Sequence, residues 1–259
     1  MFKNKTFLIT GASSGLGRAL TIQLDRMDAN IAIMSRNVSA LEETAAFCQN
    51  SPLLIPGNIT SEKNCQEAMA QVITHFGHLD HLVLNAGVSM YSYFEALSDL
   101  KVMHQLMETN YLGAIHCTYH ALPYLKKTKG LITVISSIQG KIGVPYHTGY
   151  CASKHALDGF FNSLRMELDQ SIDILMVSPG WIRGTELKKN ALAAQDHKTS
   201  FLPDKQKGES IPLEKCCEKI LSAMYRRKRE LIIPDKYRWL PWLKLIAPVF
   251  LDNLVKRRF

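Results

Sequence analysis

The sequence has few cysteines, no long uninterrupted hydrophobic run and no low-complexity stretch. Its six cysteines form no CxxC pair and no spaced pattern with histidines, so we expect reduced thiols, no disulfide framework and no metal site. Residues 1–5 read MFKNK and lack the apolar stretch of a secretory signal. We therefore expect a cytoplasmic protein.

Acidic residues are scarce at one end of the chain. The formal net charge is +8, and the segment from Arg226 to the C-terminus holds ten basic but only three acidic residues. The rest of the chain is therefore nearly neutral, whereas a nucleic-acid surface needs lysine and arginine clustered across the fold. This distribution argues against a nucleic-acid partner and leaves an anionic membrane surface open.

The chain contains a regular alternation of short apolar runs and longer segments of helical period. The predicted strands are residues 6–10, 30–35, 53–55, 81–85, 131–136, 172–178 and 231–233. The predicted helices lie near residues 15–27, 38–50, 61–76, 99–127, 147–170 and 213–228. Runs such as LITVI at 131–135 are hydrophobic throughout, as in parallel sheets that are covered by helices on both faces. We predict an α/β fold, a Rossmann-like doubly wound sheet of seven parallel strands, in one domain over residues 1–236.

A glycine-rich turn follows the first predicted strand. Residues 10–17 read TGASSGLG and lead directly into a helix. Glycine allows a close backbone approach, and a helix N-terminus presents unpaired N–H groups to an anion such as a pyrophosphate. This context matches a dinucleotide-binding turn, although a plain glycine-rich turn is the alternative. The residues of the turn that we expect at the cofactor are Gly11, Ser13, Ser14, Gly15, Leu16 and Gly17.

The end of the second strand indicates which dinucleotide is bound. An acidic side chain there would bind the ribose 2′-hydroxyl of NAD and repel the 2′-phosphate of NADP. Ser35 and Arg36 stand there instead, and a guanidinium is well suited to bind a phosphate. We therefore predict NADP(H) as the cofactor.

Two further strand ends carry amide or small side chains. Asn58 and Ile59 follow the third strand, where an amide and an apolar side chain suit the adenine ring. Asn85, Ala86 and Gly87 follow the fourth strand, where small residues let the backbone pass close to a ribose, although a simple turn explains them equally well in isolation. Together with the glycine turn, these residues place the predicted cofactor along the carboxyl edge of the sheet.

Side chains capable of proton transfer follow the fifth strand. Ser136 and Ser137 end this strand, and Tyr150 lies at the start of a predicted helix, four residues before Lys154. This spacing places the phenol and the ammonium on one helix face. A nearby positive charge lowers the pKa of a phenol from about 10 toward neutrality, which suits acid–base catalysis.

In this order, the motifs resemble those of the short-chain dehydrogenase/reductase family, which combines TGxxxGxG, NAG, a serine, YxxxK and a PG loop. The resemblance covers residues 6–233. Residues 135–145 (ISSIQGKIGVP) and 150–161 (YCASKHALDGFF) are most similar to the branch that contains corticosteroid and related membrane-associated dehydrogenases.

The resemblance implies a role for each matched residue. Tyr150 is the general acid in carbonyl reduction and the general base in alcohol oxidation, while Lys154 also binds the nicotinamide ribose. Ser137, rather than Ser136, donates a hydrogen bond to the substrate oxygen as charge develops there. Asn110 matches the asparagine that holds a water linking the lysine to solvent. Read alone, however, an asparagine within a helix is more often a surface or packing residue.

The resemblance also reaches the loop after the sixth strand. Pro179 and Gly180, followed by Ile182, match the loop near the nicotinamide carboxamide. The family usually has a threonine five residues after this proline, but Gly184 holds that place here and Thr185 follows. A contact from Thr185 to the cofactor is therefore left open. A second departure is the amide at position 58, where the family has an aspartate.

Residues 186–211 are rich in lysine, alanine, glutamine and serine and form the predicted substrate lid. A tolerant surface insertion fits this composition nearly as well. Aromatic side chains near the predicted site suit either pocket lining or packing. These are Tyr93, Tyr146, His147 and Trp181.

Residues 237–259, here called the tail, are apolar and basic. Two prolines and a lysine interrupt the apolar run, whereas a membrane-spanning helix needs about 20 largely apolar residues. Tryptophans with basic flanks suit a peripheral segment lying on anionic lipid. In the alternative, Trp239, Trp242 and Phe250 pack on the body of the protein or against a second subunit.

We predict an NADP(H)-dependent oxidoreductase that interconverts a ketone or aldehyde and an alcohol on a small lipophilic substrate. The resemblance implies a homodimer or homotetramer formed through helices 99–127 and 147–170. One alternative is an acyl-carrier ketoreductase of lipid synthesis, which would favour a basic patch on the lid, but the lid also carries acids. The other is a non-catalytic NADPH-binding regulator, for which the intact serine, tyrosine and lysine would serve no purpose.

Overall fold

The computed structural model of the chain describes residues 1–168, 170–185, 187, 191–192 and 210–257. The strands are β1 (Thr6–Thr10), β2 (Asn30–Ser35), β3 (Leu53–Pro56), β4 (His81–Leu84), β5 (Leu131–Ile135), β6 (Asp173–Pro179), β7 (Trp181–Arg183), β8 (Ser210–Pro212) and β9 (Glu230–Ile233). The α-helices are α1 (Gly15–Asp25), α2 (Val38–Ala45), α3 (Glu62–Phe76), α4 (Lys101–Leu106), α5 (Gly113–Thr128), α6 (Thr148–Glu167), α7 (Leu213–Tyr225), α8 (Leu240–Ile246) and α9 (Pro248–Lys256). A π-helical stretch, Met107–Leu112, joins α4 to α5.

Seven strands form one parallel sheet in the order β3-β2-β1-β4-β5-β6-β9. Strand β1 pairs with β2 on one side and with β4 on the other, so the direction in which strands are added reverses at β1. In open sheets of this kind, ligands bind outside the carboxyl ends of the strands at the point of reversal. The predicted doubly wound, seven-stranded parallel sheet is confirmed.

The strands are buried because helices cover both faces of the sheet. Within β1, Leu8 packs in one apolar layer, whereas Phe7 and Ile9 pack in the other. The first layer takes side chains from α3, α5 and α6, and the second from α1, α2 and α7. Two buried layers explain why the strand sequences are hydrophobic throughout rather than alternating.

Helix boundaries follow local capping chemistry. The side chain of Ser61 accepts a hydrogen bond from the Asn64 amide and caps the start of α3, and Gly77, at φ 79°, ends that helix in the left-handed conformation. Helix α2 ends at Ala45, although the sequence pattern predicts an end at residue 50. The chain that follows is bound to the end of α1. The backbone amides of Gln49 and Asn50 both donate to the Asp25 carboxylate.

The structure adds elements that the sequence pattern did not predict. The predicted helix 99–127 is divided by the π-helical stretch, in which Asn110 is buried. Strands β7 and β8 form a separate parallel pair beside the main sheet. The tail folds into α8 and α9, with Ala247 between them. Most of the predicted lid, residues 186–211, lies outside the described residues.

Candidate active site

A cleft of about 1380 Å³ runs along the carboxyl ends of the strands, from the glycine turn to the tail. Most of the predicted site residues line this cleft. They are Gly11, Ser13, Ser14, Gly15, Leu16, Ser35, Arg36, Asn58, Ile59, Asn85, Ala86, Gly87, Ser137, Tyr150, Lys154, Pro179, Gly180 and Ile182. Gly17 and Asn110 do not line the cleft. They lie behind residues that do.

The glycine turn is shaped by close backbone contacts. Gly11 has a φ of 65°, and a Cβ at this position would lie 2.7 Å from the Cα of Ala86. A Cβ on Gly17 would lie 2.5 Å from the carbonyl oxygen of Gly11. Both positions therefore require glycine, Gly11 for its conformation and Gly17 for the packing of α1 against the turn.

The start of α1 is open to an anion. Its N-cap residue, Ser14, makes no side-chain capping hydrogen bond, and the first turn of the helix holds no acidic residue. The unpaired N–H groups and the positive end of the helix dipole therefore face the cleft without a competing side chain. A phosphate group fits this arrangement.

Asn85 holds the turn in place from the neighbouring strand. Its side-chain nitrogen donates to the carbonyl oxygens of Thr10 and Gly11, both at 3.0 Å. In return, the Thr10 hydroxyl accepts hydrogen bonds from the backbone amides of Asn85 and Ala86. The amide of Asn85 is thus committed to shaping the turn, and Ala86 provides the surface against which Gly11 packs.

Arg36 and Ser35 lie at the far end of the cleft. The Ser35 hydroxyl donates to the hydroxyl of Ser13, which ties the end of β2 to the glycine turn. Arg36 is exposed and makes no hydrogen bond or ion pair with any residue that the structure describes. Its guanidinium is therefore available to a ligand at this end of the cleft.

Sequence reasoning missed the contribution of Arg18. Its guanidinium donates to the Ser13 carbonyl at 2.6 Å and to the Thr44 hydroxyl at 3.0 Å, and it forms an ion pair with Glu43. Arg18 therefore joins the glycine turn to α2. No local motif marks such a role, because the partners are distant in sequence.

Asn58 and Ile59 form the side of the cleft below β3. The Asn58 side-chain oxygen accepts a hydrogen bond from the Thr60 amide, which fixes the loop in a tight turn. Ile59 is buried, and its side chain lies so close to Gly113 that a Cβ there would be 2.7 Å away. The apolar surface of Ile59 at the cleft is thus set by packing against the start of α5.

Tyr150, Lys154 and Ser137 meet at the centre of the cleft. Tyr150 and Lys154 occupy successive turns of α6, with the Lys154 ammonium 5.7 Å from the centre of the Tyr150 ring. The Lys154 Nζ donates to the carbonyl oxygen of Ile135, at the end of β5. Ser137 lies two residues after β5, where its hydroxyl donates to the Pro179 carbonyl at 3.5 Å and lies near enough to Tyr150 to lower the pKa of the phenol. Ser136 turns away and donates to Asp158.

Burial shifts the proton affinities of both titrating groups. Loss of solvent raises the pKa of Tyr150 to about 12, and the hydrogen bond from Ser137 partly opposes this shift. Loss of solvent lowers the pKa of Lys154 to about 8, and the negative charge of Asp158 opposes that shift. The site thus holds a neutral phenol beside an ammonium that titrates near physiological pH.

Asn110 connects three parts of the site from within the π-helical stretch. Its side-chain oxygen accepts from the Val88 amide, and its nitrogen donates to the Val88 carbonyl and the Ser153 hydroxyl. The same oxygen would lie 3.1 Å from a Cβ on Gly87. Asn110 therefore ties the loop after β4 to α6, directly behind Lys154.

The loop after β6 closes the opposite wall. The Gly180 amide donates to the Ile233 carbonyl, and a Cβ on Gly180 would lie 2.7 Å from the Tyr237 ring. Thr185 lies against Gly15, since a Cβ there would be 3.6 Å from its side chain, and its hydroxyl donates to the Ile182 carbonyl. Thr185 is thus beside the glycine turn and lines the cleft.

An aromatic group stands at the mouth of the cleft. The hydroxyls of Tyr93 and Tyr146 hydrogen-bond each other at 3.0 Å, and the Tyr91 ring packs on Tyr146. His147 lies with its ring edge toward Trp181, and both residues line the cleft. Tyr93 and Tyr146 are outside the lining, so of the four predicted aromatic candidates His147 and Trp181 face the cavity.

The tail has two different faces. Its inner face packs on the body, with Leu251 buried against Ile142, Val144 and Cys151. The outer face, which is 61% to 80% exposed, comprises Trp239, Trp242, Leu245, Ile246, Val249 and Phe250. Trp239, Trp242 and Phe250 therefore do not pack on the body, and their packing against a second subunit stays a prediction.

A family model described as short chain dehydrogenase matches residues 5–196. The chain belongs to this family. It is 32% identical over 257 residues to an 11-beta-hydroxysteroid dehydrogenase-like protein (4A) of Arabidopsis thaliana, covering 98% of this chain and 84% of that one. It is 34% identical over 265 residues to a dehydrogenase/reductase SDR family protein 7-like protein of Dictyostelium discoideum, covering 99% and 82%.

Solved structures of the short chain dehydrogenase family share the fold. An alcohol dehydrogenase from the archaeon Thermococcus sibiricus, complexed with 5-hydroxy-NADP, is 25% identical with a TM-score of 0.77, covering 91% of this chain and 98% of that one. A family member from Burkholderia phymatum in complex with NAD has a TM-score of 0.84 at 16% identity, covering 96% and 95%. The predicted family is confirmed, and the curated relatives support the predicted corticosteroid-dehydrogenase-like branch. The chain is an oxidoreductase of this family.

In the part of the chain that the structure describes, no helix of this short chain dehydrogenase is long and apolar enough to cross a membrane. On α5 and α6, Tyr119 and Met166 are exposed apolar side chains on the helices predicted to form subunit contacts. The oligomeric state stays a prediction.

Proposed function

We propose that this protein is an NADP(H)-dependent oxidoreductase that interconverts a ketone or aldehyde and an alcohol on a small lipophilic substrate. The observation that carries this proposal is the meeting of Tyr150, Lys154 and Ser137 in a cleft that begins at the glycine turn. A proton donor, a neighbouring cation and a second hydroxyl donor are what carbonyl reduction requires of the protein.

The residues of the cleft fit a dinucleotide. The open N-terminus of α1 and the close approach of Gly11 to Ala86 would accommodate the pyrophosphate, and Ile59 would supply an apolar wall for the adenine. When bound, the nicotinamide supplies or accepts the hydride. Holding the cofactor, excluding water and handling the proton are the tasks of this chain's own residues.

Arg36 supports NADP(H) over NAD(H). It is the first residue after β2, it lines the cleft, and its guanidinium is uncommitted within the described structure. Ser35 and Asn37 beside it carry no negative charge that would repel a 2′-phosphate. A charge-assisted hydrogen bond from arginine contributes about 1.5–3 kcal/mol, which favours the phosphorylated cofactor by about tenfold or more.

The proton would be held at the Tyr150 oxygen. Burial keeps the phenol protonated, so in reduction Tyr150 delivers its proton to the substrate oxygen. Ser137, which lies beside the phenol, would turn its hydroxyl from the Pro179 carbonyl to donate to that same oxygen as negative charge develops there. The Lys154 ammonium stabilises the phenolate that is left behind. Asn110 positions the Val88 loop and α6 behind this pair.

The remainder of the cleft supports a lipophilic substrate. Beyond Tyr150, its walls are largely hydrocarbon and combine residues from the loop after β4, the loop before α6 and the tail. They include Met90, Ile142, Val144, Leu192, Leu240 and Leu251. Such a surface gains free energy by removing apolar ligand area from water, at about 25 cal/mol per Å².

Purified protein incubated with NADPH and a panel of lipophilic ketones and aldehydes tests the activity. We expect loss of NADPH absorbance that depends on the carbonyl compound, with the matching alcohol identified by mass spectrometry. Faster turnover of acetoacetyl thioesters than of free ketones would favour the acyl-carrier ketoreductase instead. NADPH binding without turnover on any compound would overturn the proposal in favour of a regulator.

We also propose that the outer face of the tail lies on an anionic membrane. Five large apolar side chains on α8 and α9, together with Trp239 just before α8, are exposed, and two of the six are tryptophans. Residues 235–257 carry five basic side chains, Lys236, Arg238, Lys244, Lys256 and Arg257, against the two acids Asp235 and Asp252. Basic residues beside an apolar face are typical of segments that bind the surface of anionic lipid.

Vesicle flotation tests the membrane contact. We expect the protein to float with vesicles that contain phosphatidylserine, less with phosphatidylcholine alone, and less in high salt because salt screens the charges. Replacing Trp242, Ile246 and Phe250 by serine should abolish flotation. The matched control replaces Phe47 and Met166, which are equally exposed apolar residues elsewhere.

Two results would contradict the membrane proposal. One is wild-type protein that stays with the unbound fraction at low salt. The other is a triple serine variant that floats normally. If the wild type binds no vesicles and the triple serine variant loses a dimer in light scattering, the occupant of this face is a second copy of the chain.

A further inference from the structure

A buried carboxylate lies one helical turn beyond the lysine of the site. Asp158 is on α6, four residues after Lys154, and is 8% exposed. One of its oxygens accepts a hydrogen bond from the Ser136 hydroxyl at 3.3 Å. The other forms an ion pair with Lys141. The proposed reaction uses none of these three groups directly.

The ion pair continues to the surface through a second acid. The Lys141 ammonium also lies 2.7 Å from Glu230, the first residue of β9. The side chain of Lys141 is 16% exposed and that of Glu230 is 44% exposed. Charges therefore alternate from the half-exposed Glu230 through Lys141 and Asp158 to Lys154 in the interior.

Close packing holds this row of charges against the site. A Cβ on Gly140 would lie 2.8 Å from the Ser136 oxygen and 2.9 Å from the Lys154 carbonyl oxygen. Only glycine lets the turn that carries Lys141 approach α6 so closely. The arrangement also explains the different orientations of the two serines, since Ser136 binds Asp158 and leaves Ser137 to Tyr150.

The buried ammonium of Lys154 needs a compensating charge. Loss of solvent lowers the pKa of Lys154, and Asp158 is the charge that opposes this shift. Burial raises the pKa of Asp158 itself, while Lys141 opposes that rise and Glu230 adds to it. Arg165 lies two turns further along α6, and its pKa is raised by the charges of Asp158 and Glu230, although burial lowers it overall. These groups, together with Lys154, make up the charged surroundings of the Asp158 carboxylate.

We propose that Asp158 is a positioning residue that keeps Lys154 charged, and that Lys141, which is itself paired with Glu230, holds Asp158 ionised in the interior. This rests on the proposed function, in which the Lys154 ammonium stabilises the Tyr150 phenolate. The direction of the pH effect follows from the positive charge of the ammonium. An ammonium is present below its pKa and lost above it, so a charge that raises this pKa extends activity to higher pH.

The decisive variant is Asp158→Asn, which keeps the shape and removes the charge. Lys154 can be titrated by NMR in lysine-labelled protein, its resonance being assigned with Lys154→Met. We expect the wild-type midpoint near 8 and a midpoint lower by about one pH unit in Asp158→Asn. The alkaline fall in kcat/KM for carbonyl reduction should move down by the same amount, and Asp158→Glu should restore both.

Two further variants separate charge from structure. Lys141→Met removes the cation that opposes the rise in the pKa of Asp158, so it should lower the Lys154 midpoint, but by less than Asp158→Asn does. Asp173→Asn removes a surface partner of Arg227 at the far end of β6 and should leave the midpoint unchanged. If Asp173→Asn lowers the midpoint as much as Asp158→Asn does, the effect is not specific to Asp158 and the proposal is overturned.

The NMR titration does not require turnover. An unchanged midpoint in folded Asp158→Asn overturns the role of Asp158 even if the enzyme reduces carbonyl compounds as proposed. A lowered midpoint in a protein that turns over no carbonyl compound supports the charge relation and refutes the proposed function instead.

Discussion

Replacing Tyr150 by phenylalanine should lower kcat/KM for carbonyl reduction by about 10³-fold, because the variant lacks the proton donor. The ring would be retained, and it is the ring that packs against Met90 and Leu106. Folding and NADPH binding should therefore change little. Steady-state kinetics, NADPH titration by fluorescence and thermal unfolding measure the three quantities separately.

A second tyrosine provides the matched control. Tyr124 on α5 is partly buried against the core and lies outside the cleft. Tyr124→Phe removes the same hydroxyl and should leave kcat/KM unchanged. Wild-type turnover in Tyr150→Phe would show that the proton comes from another group, and equal losses in both variants would indicate a general structural effect.

Arg36→Asp should reverse the cofactor preference. The change removes the guanidinium and places a carboxylate at the end of β2, where it repels a 2′-phosphate and can accept a hydrogen bond from a ribose 2′-hydroxyl. Loss of a charge-assisted hydrogen bond together with the new repulsion should weaken NADPH binding by about 100-fold. NADH binding should strengthen. Fluorescence titration with both cofactors gives the two dissociation constants.

The control for this charge reversal is Arg26→Asp. Arg26 is an exposed arginine at the C-terminal end of α1, away from the cleft, and its replacement makes the same change in net charge. It should leave both dissociation constants near the wild-type values. Wild-type protein that binds NADH as tightly as NADPH, or Arg36→Asp that keeps its preference for NADPH, would refute the assignment of Arg36.

The sheet could be predicted from the sequence because its local signals agree with its environment. LITVI at β5 is hydrophobic throughout since both faces of the strand are covered, and the following serines mark the carboxyl end, where the cleft lies. The glycine turn could be predicted for a similar reason, because Gly11 is required by its own φ of 65° and Gly17 by its contact with the carbonyl oxygen of Gly11, six residues earlier. In both cases the deciding contacts repeat along an element or lie close in sequence.

Orientations set by distant partners could not be predicted. Two adjacent serines follow β5, and what separates their roles is Asp158, which lies 22 positions after Ser136 and, of the two serines, accepts a hydrogen bond from Ser136 alone. Arg18 is a similar case, since its link to Thr44 and Glu43 depends on how α2 is placed. The sequence of the tail is apolar whether the tail packs on the body or contacts a membrane. Only its contact with Ile142 and Val144 determines which of its faces stays exposed.

Strand β7 ends at Arg183 and β8 begins at Ser210, and this pair of strands stands apart from the seven-stranded sheet. Ala191 and Leu192 line the cleft, and Leu192 bridges to Met90. Because both ends are anchored side by side, doubling the length between them would cost only about 0.6 kcal/mol in closure entropy. We therefore expect insertions between these two anchor points to cost the fold little, and, because Ala191 and Leu192 line the cleft, to change which ligands the cleft accepts.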